Sequence, residues 1–173
     1  MKYEIVKSDY KEFEGIKVYR IRYLSDGSLG GYIQSENNLS QDGNAQVYGD
    51  ALVYGNARVS ENAQVSGNAR VFGNAQVFGD AWVSGDARVS SVVEIIMLGP
   101  IGSRNAMLSA YFDKDKNILV STGCFLGSMS EFEKAVKDRY ANKGFGKDYS
   151  EAIKFIKSKM KRVKEASHDK LAE

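Results

Sequence analysis

One cysteine, Cys124, and one histidine, His168, are all that 173 residues contain of either type, and each scarcity excludes a class of chemistry. A lone thiol cannot form an internal disulfide. Without an apolar leader in MKYEIVKSDYKEFEG, it reads as a reduced thiol and points to a cytoplasmic protein. Long apolar runs are also missing, and no window approaches the length that crosses a bilayer, so no membrane partner is expected. Neither charge predominates: 24 Lys+Arg face 22 Asp+Glu. That balance excludes a strongly acidic nucleic-acid mimic and makes nucleic acid an unexpected partner. The local exception is the basic run Lys154 to Lys164, which reads as a solvated helix face. The length suits one domain or two small ones, large enough to fold without metal or disulfide staples.

What is present is repetition. Val47, Val53, Val59, Val65, Val71, Val77, Val83 and Val89 stand six residues apart, each preceded two positions earlier by alanine, from Ala45 to Ala87. A third register carries glycine from Gly43 to Gly85, broken only by Glu61, and a fourth carries Asn or Asp throughout. β-branched valine favours extended backbone, whereas Gly, Asn and Asp tolerate sharp bends, so each hexapeptide reads as a short strand and a turn. A helix is excluded because period six matches neither 3.6 nor 3.5. Across residues 43–90 the pattern resembles the left-handed parallel β-helix of the hexapeptide-repeat family, in which three units make one triangular coil.

Three units per coil stack residues eighteen apart. The outward columns become Gln46–Gln64–Trp82, Leu52–Arg70–Arg88, Arg58–Gln76, Tyr48–Ser66–Ser84, Tyr54–Phe72–Ser90 and Ser60–Phe78. Exposed Tyr48, Tyr54, Phe72, Phe78 and Trp82 on so short a solenoid imply a face covered by another subunit. Family resemblance implies a homotrimer. The alternative is that flanking segments of the same chain cover some of these rings.

The same resemblance brings acyltransferases that use a histidine base and carbonic anhydrases that bind metal through three histidines. Here His168 lies in a charged tail outside the repeat, so neither activity retains its central residue. Asp50, Asp80 and Asp86 occupy the register where Asn alternates with Asp, which marks a turn role. Cys124 has no histidine partner and reads as a small buried thiol. No catalytic residue, metal or cofactor is therefore expected, and a transferase with a non-histidine base is the remaining enzymatic alternative.

The flanks divide the chain into N-terminal strands and a first coil over 1–42, the β-helix over 43–91, an α+β C-terminal domain over 92–165 and a charged tail over 166–173. Before the repeat, IKVYRIRYL (16–24) alternates as a strand and SDGSLGG reads as a turn. After it, VVEIIML (92–98), AMLSAYF (106–112) and NILVSTGCF (117–125) read as three strands. Two helices follow. The first opens on the capping pattern Ser130 to Glu133 and places Phe132, Ala135, Val136 and Tyr140 on one face. The second runs from about Asp148 through Tyr149, Ile153, Ile156, Met160 and Val163. Together these make a small cap for the solenoid. LGGYIQSENNLSQDGNAQVYGDA and the segment from GPIGSRN to the helices resemble hexapeptide-repeat proteins encoded by phages and prophages, a group with no single activity.

Two loops carry ligand-binding equipment. GPIGSRN supplies Ser103, Arg104 and Asn105, and STGCFLGS supplies Ser121, Thr122 and Gly123 before a helix. Hydroxyls, backbone N–H groups and a guanidinium together hold an anion such as phosphate. In the alternative reading the glycines make turns and Arg104 pairs with Glu94. On the solenoid, Arg70 and Arg88 beside Tyr54, Phe72 or Trp82 suit a nucleotide through charge and stacking. These features point to a non-enzymatic oligomer, phage-encoded and acting in the host cytoplasm as a counter-defence inhibitor. It would sequester a nucleotide-like immune signal or bind a host defence protein. A structural spacer or virion accessory is the alternative.

Overall fold

The computed structural model describes residues 1–140 and 144–169, the side chains of 168 and 169 excepted; the end of the expected tail, 170–173, lies outside the described residues. The chain forms two compact units, Met1–Val92 and Val93–Glu173. The N-terminal strands therefore share a unit with the repeat.

The first unit opens with β1 (Tyr3–Phe13) and β2 (Ile16–Tyr23), an antiparallel hairpin. Its turn places Glu14 at φ 52° and Gly15 at φ 76°, a pair of positive values whose twist matches the flanking strands. The third strand, β3 (Leu29–Ile33), contains the Leu-Gly-Gly that the sequence predicts as a turn. Its glycines serve close approach instead: a Cβ on Gly31 would lie 2.7 Å from Val47 Cγ1 and 2.8 Å from the Ala51 carbonyl oxygen.

Eight two-residue strands then build the solenoid: β4 (Gln46–Val47), β5 (Leu52–Val53), β6 (Arg58–Val59), β7 (Gln64–Val65), β8 (Arg70–Val71), β9 (Gln76–Val77), β10 (Trp82–Val83) and β11 (Arg88–Val89). Strands eighteen residues apart pair in parallel, giving the faces β4–β7–β10, β5–β8–β11 and β6–β9. This is a parallel β-solenoid with the expected columns. Backbone N–H groups reach the coil above, as from Gln46 to Ala63 and from Tyr48 to Val65, both at 2.9 Å. All eight repeat valines are buried inside, each contributing about 1.5–3 kcal/mol relative to exposure.

Asparagines at the corners form vertical ladders. Asn44 donates its side-chain amide to Asn62 at 3.0 Å, and Asn62 donates to Asp80 at 3.0 Å. Asn68 likewise donates to Asp86 at 3.2 Å. Aspartate accepts such a bond but has no amide to pass on, so Asp80 and Asp86 stand where these runs end. The first coil is closed by side chains from before the repeat. The Val47 N–H donates to Tyr23 Oη at 2.8 Å, the same hydroxyl donates to the Val47 carbonyl at 3.1 Å, and Lys2 Nζ donates to the Ala45 carbonyl at 2.7 Å. Backbone groups at the open edge of β4 thereby find partners within the chain.

The hairpin also corrects the reason for expecting a subunit contact at several aromatics. Tyr54 is only 5% exposed, covered by Phe13 at a ring separation of 5.9 Å and stacked on Phe72 at 5.2 Å. Val18, Tyr32 and Leu52 complete that cluster. Tyr48 is half-buried beside Tyr23, and Trp82 is half-buried with its indole N–H donated to Ser66 Oγ. Phe78 remains 44% exposed.

In the second unit, β12 (Ile95–Ile101), β13 (Ala106–Phe112), β14 (Ile118–Thr122) and β15 (Phe125–Ser128) form an antiparallel sheet in that order. Four strands replace the expected three because NILVSTGCF breaks at Gly123, whose φ is +55°. Helices α1 (Met129–Tyr140) and α2 (Gly144–Asp169) pack on the sheet, burying Phe132, Val136, Tyr149, Ile153, Ile156, Met160 and Val163 against Leu108, Ala110 and Val120. α2 begins four residues before the expected start. The cap of α1 lies two residues earlier than the expected Ser130–Glu133: the Ser128 N–H and hydroxyl donate to Glu131 Oε2, each at 2.7 Å, while the Glu131 N–H donates to Ser128 Oγ at 3.3 Å. Glu133 pairs instead with Lys157 of α2 at 2.8 Å. Among the described residues no helix is long and apolar enough to cross a membrane.

Candidate functional site

β12 and β14 run in one direction with β13 between them. They are not neighbours, yet their hairpin turns share one end of the sheet. The first turn spans Gly102 to Asn105, with φ +72° and +47° at its two ends; the second spans Gly123 and Cys124. Across the tips, Arg104 Nη1 donates to Cys124 Sγ at 3.3 Å. Arg104 does not take Glu94, which pairs with Lys116 at 2.8 Å. Cys124 is exposed rather than buried, because the turn places it at the end of the sheet.

These tips and both helices enclose a cavity of about 640 Å³. Four expected residues, Ser103, Arg104, Thr122 and Gly123, line it. Asn105 closes its own turn by donating its N–H to the Gly102 carbonyl at 3.2 Å. Ser121, only 1% exposed, is buried next to Thr122 rather than lining the cavity, as strand alternation requires.

The helices add Phe132, Arg139, Tyr140 and Tyr149, and β15 adds Phe125, none of which sequence reading marks as a site residue. The visible signal is the spacing of Phe132, Ala135, Val136 and Tyr140 on one helical face, which reads as packing; Arg139, one turn beyond Ala135, joins them in the cavity lining. The aromatic rings form a continuous row. Phe125 lies 5.2 Å from Phe132, Phe132 meets Tyr149 edge-on at 5.7 Å, and Tyr149 lies 5.4 Å from Tyr140.

The surroundings shift the pKa values of the two phenols in opposite directions. A hydrogen bond with Ser103, followed by the Arg139 and Arg104 charges, holds Tyr140 below the usual phenol value. Burial, then the neighbouring Tyr140, pushes Tyr149 above it. The lining thus combines two guanidinium groups, the Asp138 carboxylate, the Ser103 and Thr122 hydroxyls and an aromatic wall. Gly102 fixes the tip against that wall, since a Cβ there would fall on the Tyr149 hydroxyl.

The solenoid arginines are engaged elsewhere. Arg70 places its guanidinium 3.9 Å from the centre of the Phe13 ring, and Arg88 Nη1 donates to the Asn68, Asp86 and Ala87 carbonyls. Both belong to the β5–β8–β11 face, whereas Trp82 lies in the β4–β7–β10 sheet. Among the described residues no three His, Cys, Asp or Glu side chains gather as metal ligands.

Residues 45–61 and 63–79 match the family model of the YdcK β-solenoid repeat. The two matches begin eighteen residues apart, which is the spacing of stacked strands in this chain. Each match thus spans one coil of this chain, three hexapeptides long. No curated protein and no solved structure matches the chain.

Proposed function

We propose that this β-solenoid protein is a non-catalytic binding protein whose C-terminal unit holds an anionic, ring-bearing small molecule of the nucleotide type. The observation that carries this reading is the meeting of Arg104 and Arg139 with the row from Phe125 to Tyr140 around one cavity. Its volume falls within the range of small-molecule sites. Arginine gives paired, charge-assisted bonds to phosphate, and an aromatic wall offers a surface for stacking. The biological role we attach to it is sequestration of a host immune signal by a phage-encoded protein. That role rests on the resemblance of the flanking segments to phage-encoded hexapeptide-repeat chains.

Thermal shift and calorimetry with mono-, di- and cyclic nucleotides and ADP-ribose derivatives test the binding. A ligand at a hundred times its Kd adds about 2.7 kcal/mol of stability. Arg104→Ala abolishes the effect and Arg70→Ala leaves it. Silence across the panel rejects the small-molecule reading and directs the search to a host defence protein. Exposed Phe78 supports self-association as a homotrimer, and a monomer mass by light scattering removes that part. A rigid structural role is the second reading, favoured by the asparagine ladders and side-chain-closed first coil, and it requires indifference to Arg104→Ala.

A further inference from the structure

A second hollow, of about 620 Å³, lies between α1 and α2 and is built from different chemistry. Its apolar floor is formed by Val136 and Ile153, and three lysines stand around it: Lys137 from α1, Lys147 and Lys154 from α2. Lys147 and Lys154 are seven residues apart, so they stand on one helix face about 10 Å from each other. Among the described residues none of the three lysines makes an ion pair. The one carboxylate on the rim, Glu133, is already neutralised by Lys157.

The surrounding unit reinforces that field. Val93–Glu173 carries fifteen Lys and Arg against eleven Asp and Glu, whereas Met1–Val92 carries nine against eleven. Lysine ammonium groups act as flexible point charges without the planar fork that selects phosphate, and spread along a groove they suit separate carboxylates. An apolar floor between rows of cations further asks for a side chain to bury, which a polyanion of uniform charge does not provide.

We propose that this groove docks an acidic peptide segment of a partner protein, with an apolar side chain seated over Val136 and Ile153 and flanking carboxylates held by Lys137, Lys147 and Lys154. The groove adjoins the arginine-lined cavity, with Val136 and Tyr140 lining both, but its lysines belong to the groove alone, and docking there does not depend on a nucleotide being bound.

The test titrates the full-length protein, isotopically labelled, with the peptide EDLLEDE at low salt, followed by NMR and by fluorescence anisotropy of a fluorescein-labelled copy. Saturable binding is expected, with shifts at Val136, Lys137, Lys147 and Ile153. It weakens by about tenfold in the double variant Lys137→Glu/Lys154→Glu. Lys161→Glu, outside the groove, retains binding, as does Arg104→Ala, which keeps this outcome separate from that of the nucleotide site. Circular dichroism establishes that the variants are folded. Absence of saturable binding overturns the proposal. So does equal affinity for EDSSEDE, for KKLLKKK, for single-stranded oligothymidylate or for vesicles of anionic phosphatidylserine, since each removes the need for an acidic peptide with an apolar anchor.

Discussion

The Arg104 guanidinium donates to the Cys124 sulfur across 3.3 Å, linking two hairpin turns through residues twenty apart in the chain. Because Cys124 is exposed and lines the arginine-containing cavity, its reactivity reports occupancy. A nucleotide at ten times its Kd should slow alkylation by iodoacetamide about tenfold, because only the free fraction reacts. Arg104→Ala should remove this protection. Unchanged alkylation with a ligand that demonstrably binds would place that ligand elsewhere.

Gly102→Ala should damage fold and site together. The residue has φ +72°, and its added Cβ would meet the Tyr149 hydroxyl. Left-handed backbone alone costs a non-glycine residue about 1–2 kcal/mol. A lower urea midpoint and loss of nucleotide binding are expected. A variant as stable as the parent would show that the turn adapts.

Tyr23→Phe keeps the ring but removes the hydroxyl that serves both the N–H and carbonyl of Val47. Leaving a buried polar group unsatisfied costs about 1–3 kcal/mol. Urea unfolding should show the loss, and hydrogen exchange at the Val47 amide should accelerate. An unaltered amide would mean that water replaces the phenol.

The Glu131 carboxylate is held below the usual glutamate range by the Ser128 hydroxyl, then by the Ser128 N–H. A depressed folded pKa means that this cap stabilises above the unfolded value, and that its contribution disappears as pH falls through the folded value. NMR titration of the Glu131 carboxyl should give a midpoint below the reference of about 4.3, and Ser128→Ala should return it towards that reference. Equal midpoints in both proteins would remove the capping interaction.

Much of the solenoid was legible because its rule is local and repeated. Valine at every sixth position, with bends between, gives a six-residue strand-and-turn unit, and the resemblance to hexapeptide-repeat β-helices implies three units per coil, so that residues eighteen apart stack, as Trp82 does on Gln64. Irregular segments are less legible. Two overlapping S-x-x-E patterns fall at the start of α1, and choosing Ser128–Glu131 over Ser130–Glu133 requires knowing that β15 ends at Ser128 and that Glu133 reaches Lys157. Leu-Gly-Gly has the composition of a turn, yet the approach of Val47 and Ala51 makes it a strand.

The same division applies to the sites. Sequence alone determined the six-residue period, the Asn/Asp register, the lack of a repeat histidine and the polar make-up of the loops that carry Ser103, Arg104 and Thr122, because each follows from residue type and spacing along the chain. Tertiary structure decided that Arg104 and Cys124 meet, that Arg139, Tyr140 and Tyr149 complete their cavity, and that Tyr54 lies under the chain's own hairpin. These are contacts between distant segments. They are set by which ends of a sheet its turns share and which face a hairpin covers, and periodicity within one segment carries neither relation.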